Sequence, residues 1–224
     1  MSENVLVVAV HPDDETLGCG GTLLRHSAAG DHVHWLLVTA LREADGWPAE
    51  RLRERRKTVA AVAAAYGMAG VHDLGFPAMG LDRVPVGELV AAIGGVVNAV
   101  QPRTVYLPFR GDVHSDHRVA FAAAHSCTKS FRYPSVARVL MMETLSETDF
   151  APALPDMAFI PNFFVDITAT LAAKLKMLGL YAGEMGTHPF PRNERAVEAL
   201  AVTRGVAAGC EYAEAFMLLK EIKR

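Results

Sequence analysis

An α/β fold with a mostly parallel sheet and helices on both of its faces is what this 224-residue sequence predicts. Three observations point there. Apolar runs of strand length alternate with stretches of helix length along most of the chain, two of the helices end at a glycine, and polar clusters follow two of the strands. The length suffices for one sizeable core, and no linker, repeat or low-complexity tract divides it, so a single domain over residues 1–224 is expected.

Val5 to Val10 reads as a buried strand, and Gly18 to Ala29 as a helix that stops at Gly30. The alternation continues with a strand at His34 to Thr39, a helix at Ala49 to Tyr66 before Gly67, a strand at Val71 to Leu74, a helix at Val86 to Val100 and a strand at Thr104 to Pro108. Further on, His117 to Lys129 reads as helix and Val136 to Met142 as strand. Ala158 to Ile167 reads as a strand that Pro161 confines to an edge. Thr168 can cap a helix at Leu171 to Tyr181, and Glu194 to Ala208 is one more helix. Ala213 to Ile222 fits helix or strand.

Composition narrows the function classes. A formal charge of −3 provides no basic field for a phosphate backbone, and the basic run Arg51 to Lys57 reads as a solvated helix face, so no nucleic-acid partner is expected. No stretch approaches the roughly 20 apolar residues of a membrane span, and the short apolar run at the start lacks the form of a signal peptide. Cys19, Cys127 and Cys210 are odd in number and far apart, which argues against a disulfide framework and for a reducing cytoplasm.

Two clusters carry chemistry. His11-Pro12-Asp13-Asp14-Glu15 follows directly on an apolar strand, where open α/β sheets place their ligands. An imidazole and a carboxylate three residues apart across a turn can reach one divalent ion. The same segment also reads as a surface turn in which Asp13 or Asp14 caps the next helix. Gly18, Cys19, Gly20 and Gly21 do not complete a dinucleotide fingerprint, because Leu23 stands where its last glycine belongs; they suit a tight bend or close packing.

The second cluster, Asp112, His114, Asp116 and His117, follows the strand at Thr104 to Pro108. His117 can complete a two-histidine, one-carboxylate zinc set with His11 and Asp14, leaving a fourth position open as catalytic zinc requires. His114 can face the same cavity, and Asp116 can fix an imidazole's orientation. His26, His32, His34, His72, His125 and His188 read as structural.

The segments AVHPDDETLGCGGTL and GDVHSDHRVAF resemble the paired signatures of the LmbE/PIG-L family of zinc-dependent N-deacetylases. The stretches VHDLGFPAMGLD, ETLSETDF and HPFPRNERAVEALA are similar to its bacterial members. The resemblance implies a Rossmann-like fold and hydrolysis of the acetamide of a small N-acetylglucosamine-type conjugate. It places one Zn2+ per chain on His11, Asp14 and His117, the general base on Asp13, the oxyanion-stabilising histidine, as imidazolium, on His114, and the carboxylate orienting that histidine on Asp116. Gly183 and Glu184 stand where many relatives carry Ser-Gln.

Competing readings are a metal-dependent phosphoesterase, often with two ions, and a metal-stabilised binding protein; the latter has no use for Asp13 or His114 beside an open coordination position. In the second half of the chain Arg192, in a loop stiffened by Pro189 and Pro191, is expected to read sugar hydroxyls or a phosphate on the aglycone, unless it pairs with Glu194 or another carboxylate on the surface. A homo-oligomer is compatible with the sequence, which does not define its subunit number.

Overall fold

The computed structural model describes residues 2–223. The first strand, β1 (Asn4–Ala9), is apolar from Val5 onward because both its faces are covered there. Val5, Val7 and Ala9 enter one core with Leu23, Trp35 and Val62, and Leu6 and Val8 enter the other with Leu89, Ile93 and Ala120. Period-two side-chain alternation thus divides one strand between two helical layers. The elements that follow are α1 (Asp14–Ala28), β2 (His32–Ala40), α2 (Ala49–Tyr66), β3 (Gly70–Pro77), α3 (Val86–Val100), β4 (Thr104–Leu107), α4 (Ser115–Ser126), β5 (Arg138–Met142), β6 (Phe163–Asp166), α5 (Leu171–Leu178), α6 (Glu194–Ala208) and β7 (Ala213–Glu221).

The described residues form one seven-stranded sheet in the order β3-β2-β1-β4-β5-β7-β6. Pairs from β3 through β5 are parallel, and β7 runs antiparallel to both its neighbours. The chain leaves β1 toward β2 and leaves β4 toward β5, so a crevice opens between the carboxyl ends of β1 and β4 where the strand order reverses.

One open reading is settled by the structure and two local expectations are corrected. Ala213–Glu221 is a strand, because it is wedged between β5 and β6 and both ladders satisfy its backbone. The edge strand β6 starts only at Phe163, past the proline that cannot donate to a ladder. Helix α1 begins at Asp14 rather than Gly18 and is kinked at Cys19, whose φ is −148°.

The kink frees the amides of Gly21 and Thr22, and the Glu214 carboxylate from β7 accepts from them at 2.8 and 2.7 Å. Lys174 of α5 bonds that carboxylate at 2.7 Å and the Leu17 carbonyl at 2.9 Å. A Cβ on Gly18 or Gly21 would lie 2.8 Å from Met142 or 2.7 Å from Ile167, so these glycines allow α1 to press onto β5 and the loop after β6. Cys19 and Cys127 are buried free thiols and Cys210 is a half-buried one. Among the described residues no helix is long and apolar enough to cross a membrane.

Candidate metal and catalytic site

Both polar clusters meet in the crevice between β1 and β4. At the end of β1 the chain turns sharply, and Asp14 stabilises the turn by accepting from the amides of Val10 at 2.9 Å and His11 at 2.8 Å through Oδ2. Neither aspartate caps α1 as a surface turn would require: Asp13 is the N-cap residue but its side chain makes no capping bond. At the end of β4, His114 is the N-cap of α4, its Nδ1 accepting from the amide of Asp116 at 3.1 Å.

His11, Asp14 and His117 bring one ligand atom each to within 4.8 Å of the others. His117 Nε2 lies 3.3 Å from Asp14 Oδ2 and is buried without a hydrogen-bond partner. An unpartnered buried imidazole nitrogen facing a carboxylate suits a divalent ion, and two imidazoles with one carboxylate are donors of the kind zinc takes. His11, His114 and Asp116 also converge. Their donors are already engaged: His114 Nδ1 by a backbone amide, and the Asp116 carboxylate by the amides of Met79 at 2.7 Å and Leu81 at 3.0 Å.

Each ligand histidine has a carboxylate behind it. Asp112 Oδ2 holds His117 Nδ1 at 2.8 Å, while Thr148 donates to Asp112 Oδ1 at 2.6 Å. Asp116 Oδ2 lies 3.4 Å from His11 Nε2. The Asp116 carboxylate thus contacts His11, whereas the resemblance paired it with His114, which bonds its backbone amide. Such outer carboxylates fix the tautomer and raise the basicity of a metal-binding imidazole.

The electrostatics follow from burial and neighbours. Burial alone raises the Asp14 carboxyl, but the charge and hydrogen bond of His117, with His11, outweigh it and hold the group well below the ordinary range. Burial raises Asp13 well above it, the charge of Asp14 adds to this, and Arg192 opposes it. Burial, then the charges of His11 and His117, push His114 down to about 4. Its burial and these neighbours favour the neutral imidazole over the expected imidazolium. With Nδ1 accepting a backbone hydrogen bond, its proton belongs on Nε2.

Asp13 is buried beside this set, with a backbone φ of 133° that only glycine adopts without strain. Arg192, expected to read the aglycone, turns its guanidinium onto Asp13 and other carboxylates. Its Nη1 bonds Asp13 Oδ2 at 2.7 Å and its Nε bonds Ser146 at 2.8 Å, with Glu147 and Glu184 each 3.4 Å away. Asn193 directly after it caps α6 by accepting from Ala196 at 2.9 Å, which fixes where the guanidinium emerges.

A cleft of about 240 Å³ opens beside Pro12, and Arg51, Glu54, Arg55, Tyr181, Gly183 and Glu184 are among its lining residues. Arg55 was hidden in a run read as a solvated face. It is half-buried, donates to the Thr39 carbonyl at 3.1 Å, and burial lowers it from the usual guanidinium range. The signal that finds it is spacing: Arg51 and Arg55 are four residues apart, hence on one side of α2. The Gly183-Glu184 departure from the family pattern falls in the same cleft.

Fold and site together define a Rossmann-like α/β protein in which two histidines and a carboxylate could hold a metal ion, with a further buried aspartate beside them. Residues 6–128 match the family described as GlcNAc-PI de-N-acetylase, PIG-L, and the chain belongs to that family. It is 26% identical to a diacetylchitobiose deacetylase of Thermococcus kodakarensis over 95% of this chain and 81% of that one. It is 30% identical to a 1D-myo-inositol 2-acetamido-2-deoxy-α-D-glucopyranoside deacetylase of Actinosynnema mirum over 78% of each chain. The crystal structure of the conserved protein TT1542 from Thermus thermophilus superposes with a TM-score of 0.78 at 28% identity, covering 99% of this chain and 97% of that one.

Proposed function

We propose that this chain hydrolyses the acetamide of a small N-acetylated amino sugar conjugate, releasing acetate and a free amine. The family and the named activities of the relatives support the reaction class. The observation that carries the reading is Asp13: a buried carboxyl beside the cation site, outside the ligand set, with its pKa raised toward that of a useful base.

His11, Asp14 and His117 are the residues that would hold one divalent ion, zinc by the chemistry of the set. When bound, such an ion supplies Lewis acidity that polarises a carbonyl oxygen and acidifies water. Asp13 takes the proton from the attacking water, and Arg192 balances its charge beforehand. His114 presents its neutral Nε2–H to the oxygen that becomes negative as the amide carbon turns tetrahedral. Asp13 then holds the proton that the leaving nitrogen needs. Asp112 and Asp116 keep the two imidazoles aimed, and Arg51, Arg55 and Glu184 present polar groups to the part of the sugar conjugate beyond the acetyl group.

The test is hydrolysis of a panel of N-acetyl amino sugars, free and conjugated, by protein loaded with one equivalent of zinc, with acetate release measured before and after chelation. Acetate release that chelation abolishes and zinc restores is the expected result. Two tightly bound ions per chain with activity on phosphate esters alone would move the assignment to the phosphoesterase reading.

A further inference from the structure

We propose that Glu15 and Tyr181 are positioning residues that hold Asp13 in its strained conformation and tie it to the wall of the cleft. The catalytic consequence rests on the deacetylase reading; the structural one does not.

Asp13 has two backbone groups with which a strained conformation can be held. Its carbonyl is spent at the start of α1, accepting from the amides of Thr16 at 3.0 Å and Leu17 at 2.8 Å. Its N–H donates to Glu15 Oε2 at 3.2 Å. Glu15 is fully buried, and it is held in turn through Oε1, which accepts from the Tyr181 hydroxyl at 2.6 Å and from Thr16 Oγ1 at 2.5 Å. Tyr66 at the end of α2 donates to Thr16 Oγ1 at 3.1 Å. No cation stands within hydrogen-bond reach of Glu15 among the described residues, whereas the other two buried glutamates, Glu147 and Glu214, have Arg192 and Lys174. A buried carboxyl without a cation is costly, so a purely packing position is better filled by an apolar side chain. What the carboxyl adds here is an acceptor aimed at one amide, that of Asp13.

Tyr181 to Glu184 are four consecutive residues that line the cleft. The same four residues reach Asp13 twice: through Tyr181 and Glu15 to its amide, and through Glu184, 3.4 Å from Arg192 Nη1, to its carboxylate. The wall that faces the sugar conjugate therefore also sets the place of the base.

The experiment compares wild type, Glu15→Ala, Glu15→Gln and Tyr181→Phe for kcat, KM, bound zinc and hydrogen exchange at the Asp13 amide by NMR. Glu15→Ala should keep its zinc and its KM and lose about 10–100-fold in kcat, and Tyr181→Phe about 3–10-fold, as expected for a displaced rather than a missing base. Glu15→Gln, which keeps an oxygen facing the amide, should recover most of that loss. The Asp13 amide should exchange faster in Glu15→Ala and Tyr181→Phe than in wild type. Unchanged kcat and unchanged amide protection in both variants overturn the proposal, and so do equal losses in Glu15→Gln and Glu15→Ala. If Glu15→Ala does not fold, Tyr181→Phe, which removes a single oxygen, decides. If wild type hydrolyses no N-acetyl sugar, the deacetylase reading fails and the Asp13 exchange rate still decides the structural claim.

Discussion

The half of the site proposed to hold the cation and the half proposed to move the proton are built in different ways. His11 and Asp14 lie in one turn, and His117 receives its supporting carboxylate from Asp112 five residues earlier. Asp13 depends instead on Arg192, 179 residues away, and on a hydrogen-bond chain whose last link, Tyr181 to Glu15, spans 166 residues. A cation site can be assembled from two short segments because strand ends that are neighbours in a sheet deliver them together. A base with a tuned charge and an unusual backbone needs contacts from elsewhere in the fold, since the turn that creates the strain cannot also relieve it.

The largest effects should separate the halves. Asp14→Ala and His117→Ala should lose zinc and activity together, because each removes one of three ligands. Asp13→Asn should keep its zinc and lose about 10²–10⁴-fold in kcat, the usual worth of a general base. Elemental analysis beside turnover checks both; zinc lost on Asp13→Asn would place that residue among the ligands and dissolve the distinction.

A smaller pair of effects tests the supporting residues. Asp112→Asn should weaken zinc binding by about 10–100-fold while changing the pH profile little, as expected for a carboxylate behind a metal-binding imidazole. Arg192→Ala should do the reverse. The guanidinium lowers the Asp13 pKa against burial and Asp14, so its removal lets that pKa rise further. A base with a higher pKa is protonated up to a higher pH, so the acid limb of kcat/KM should move to higher pH with zinc content unchanged. An acid limb that stays in place would show that Arg192 does not act on Asp13.

The same division explains what was legible in the sequence. The sheet, its helices and the convergence of His11, Asp14 and His117 follow from apolar runs and from these three residues standing just past strand ends. Arg192 was found as a residue but its contact with Asp13 was not, because nothing in HPFPRNER reveals that its guanidinium returns to the turn after β1. Arg55 was lost in a basic run whose other members are solvated. Asp116 was paired with His114 by the family resemblance, and the contact its carboxylate makes with His11 was not legible because only the sheet brings those two residues together. The strand β7 was ambiguous because its state is imposed by two neighbouring strands rather than by its own residues.

The smallest effect concerns the energy of holding Asp13 through a buried carboxyl, and it is read in stability rather than rate. Burial raises Glu15 from its ordinary 4.5 to about 7, against the lowering hydrogen bonds of Thr16, Tyr181 and the Asp13 amide. A group whose pKa is higher in the folded state contributes stability in full below its unfolded value and loses it as pH rises through the folded one. The contribution of Glu15 should therefore be complete below pH 4.5, decline between 4.5 and 7, and be absent above. A shift of that size corresponds to about 3 kcal/mol. Glu15→Gln cannot titrate and should keep the bond to the Asp13 amide, so subtracting its stability from that of wild type cancels the titration of the other groups. Urea unfolding of the zinc-free proteins from pH 5 to pH 8 should show wild type losing roughly 2–3 kcal/mol relative to Glu15→Gln, most of it below pH 7. A difference that stays flat with pH would mean that Glu15 is ionised in the fold throughout, and that its three hydrogen bonds outweigh its burial.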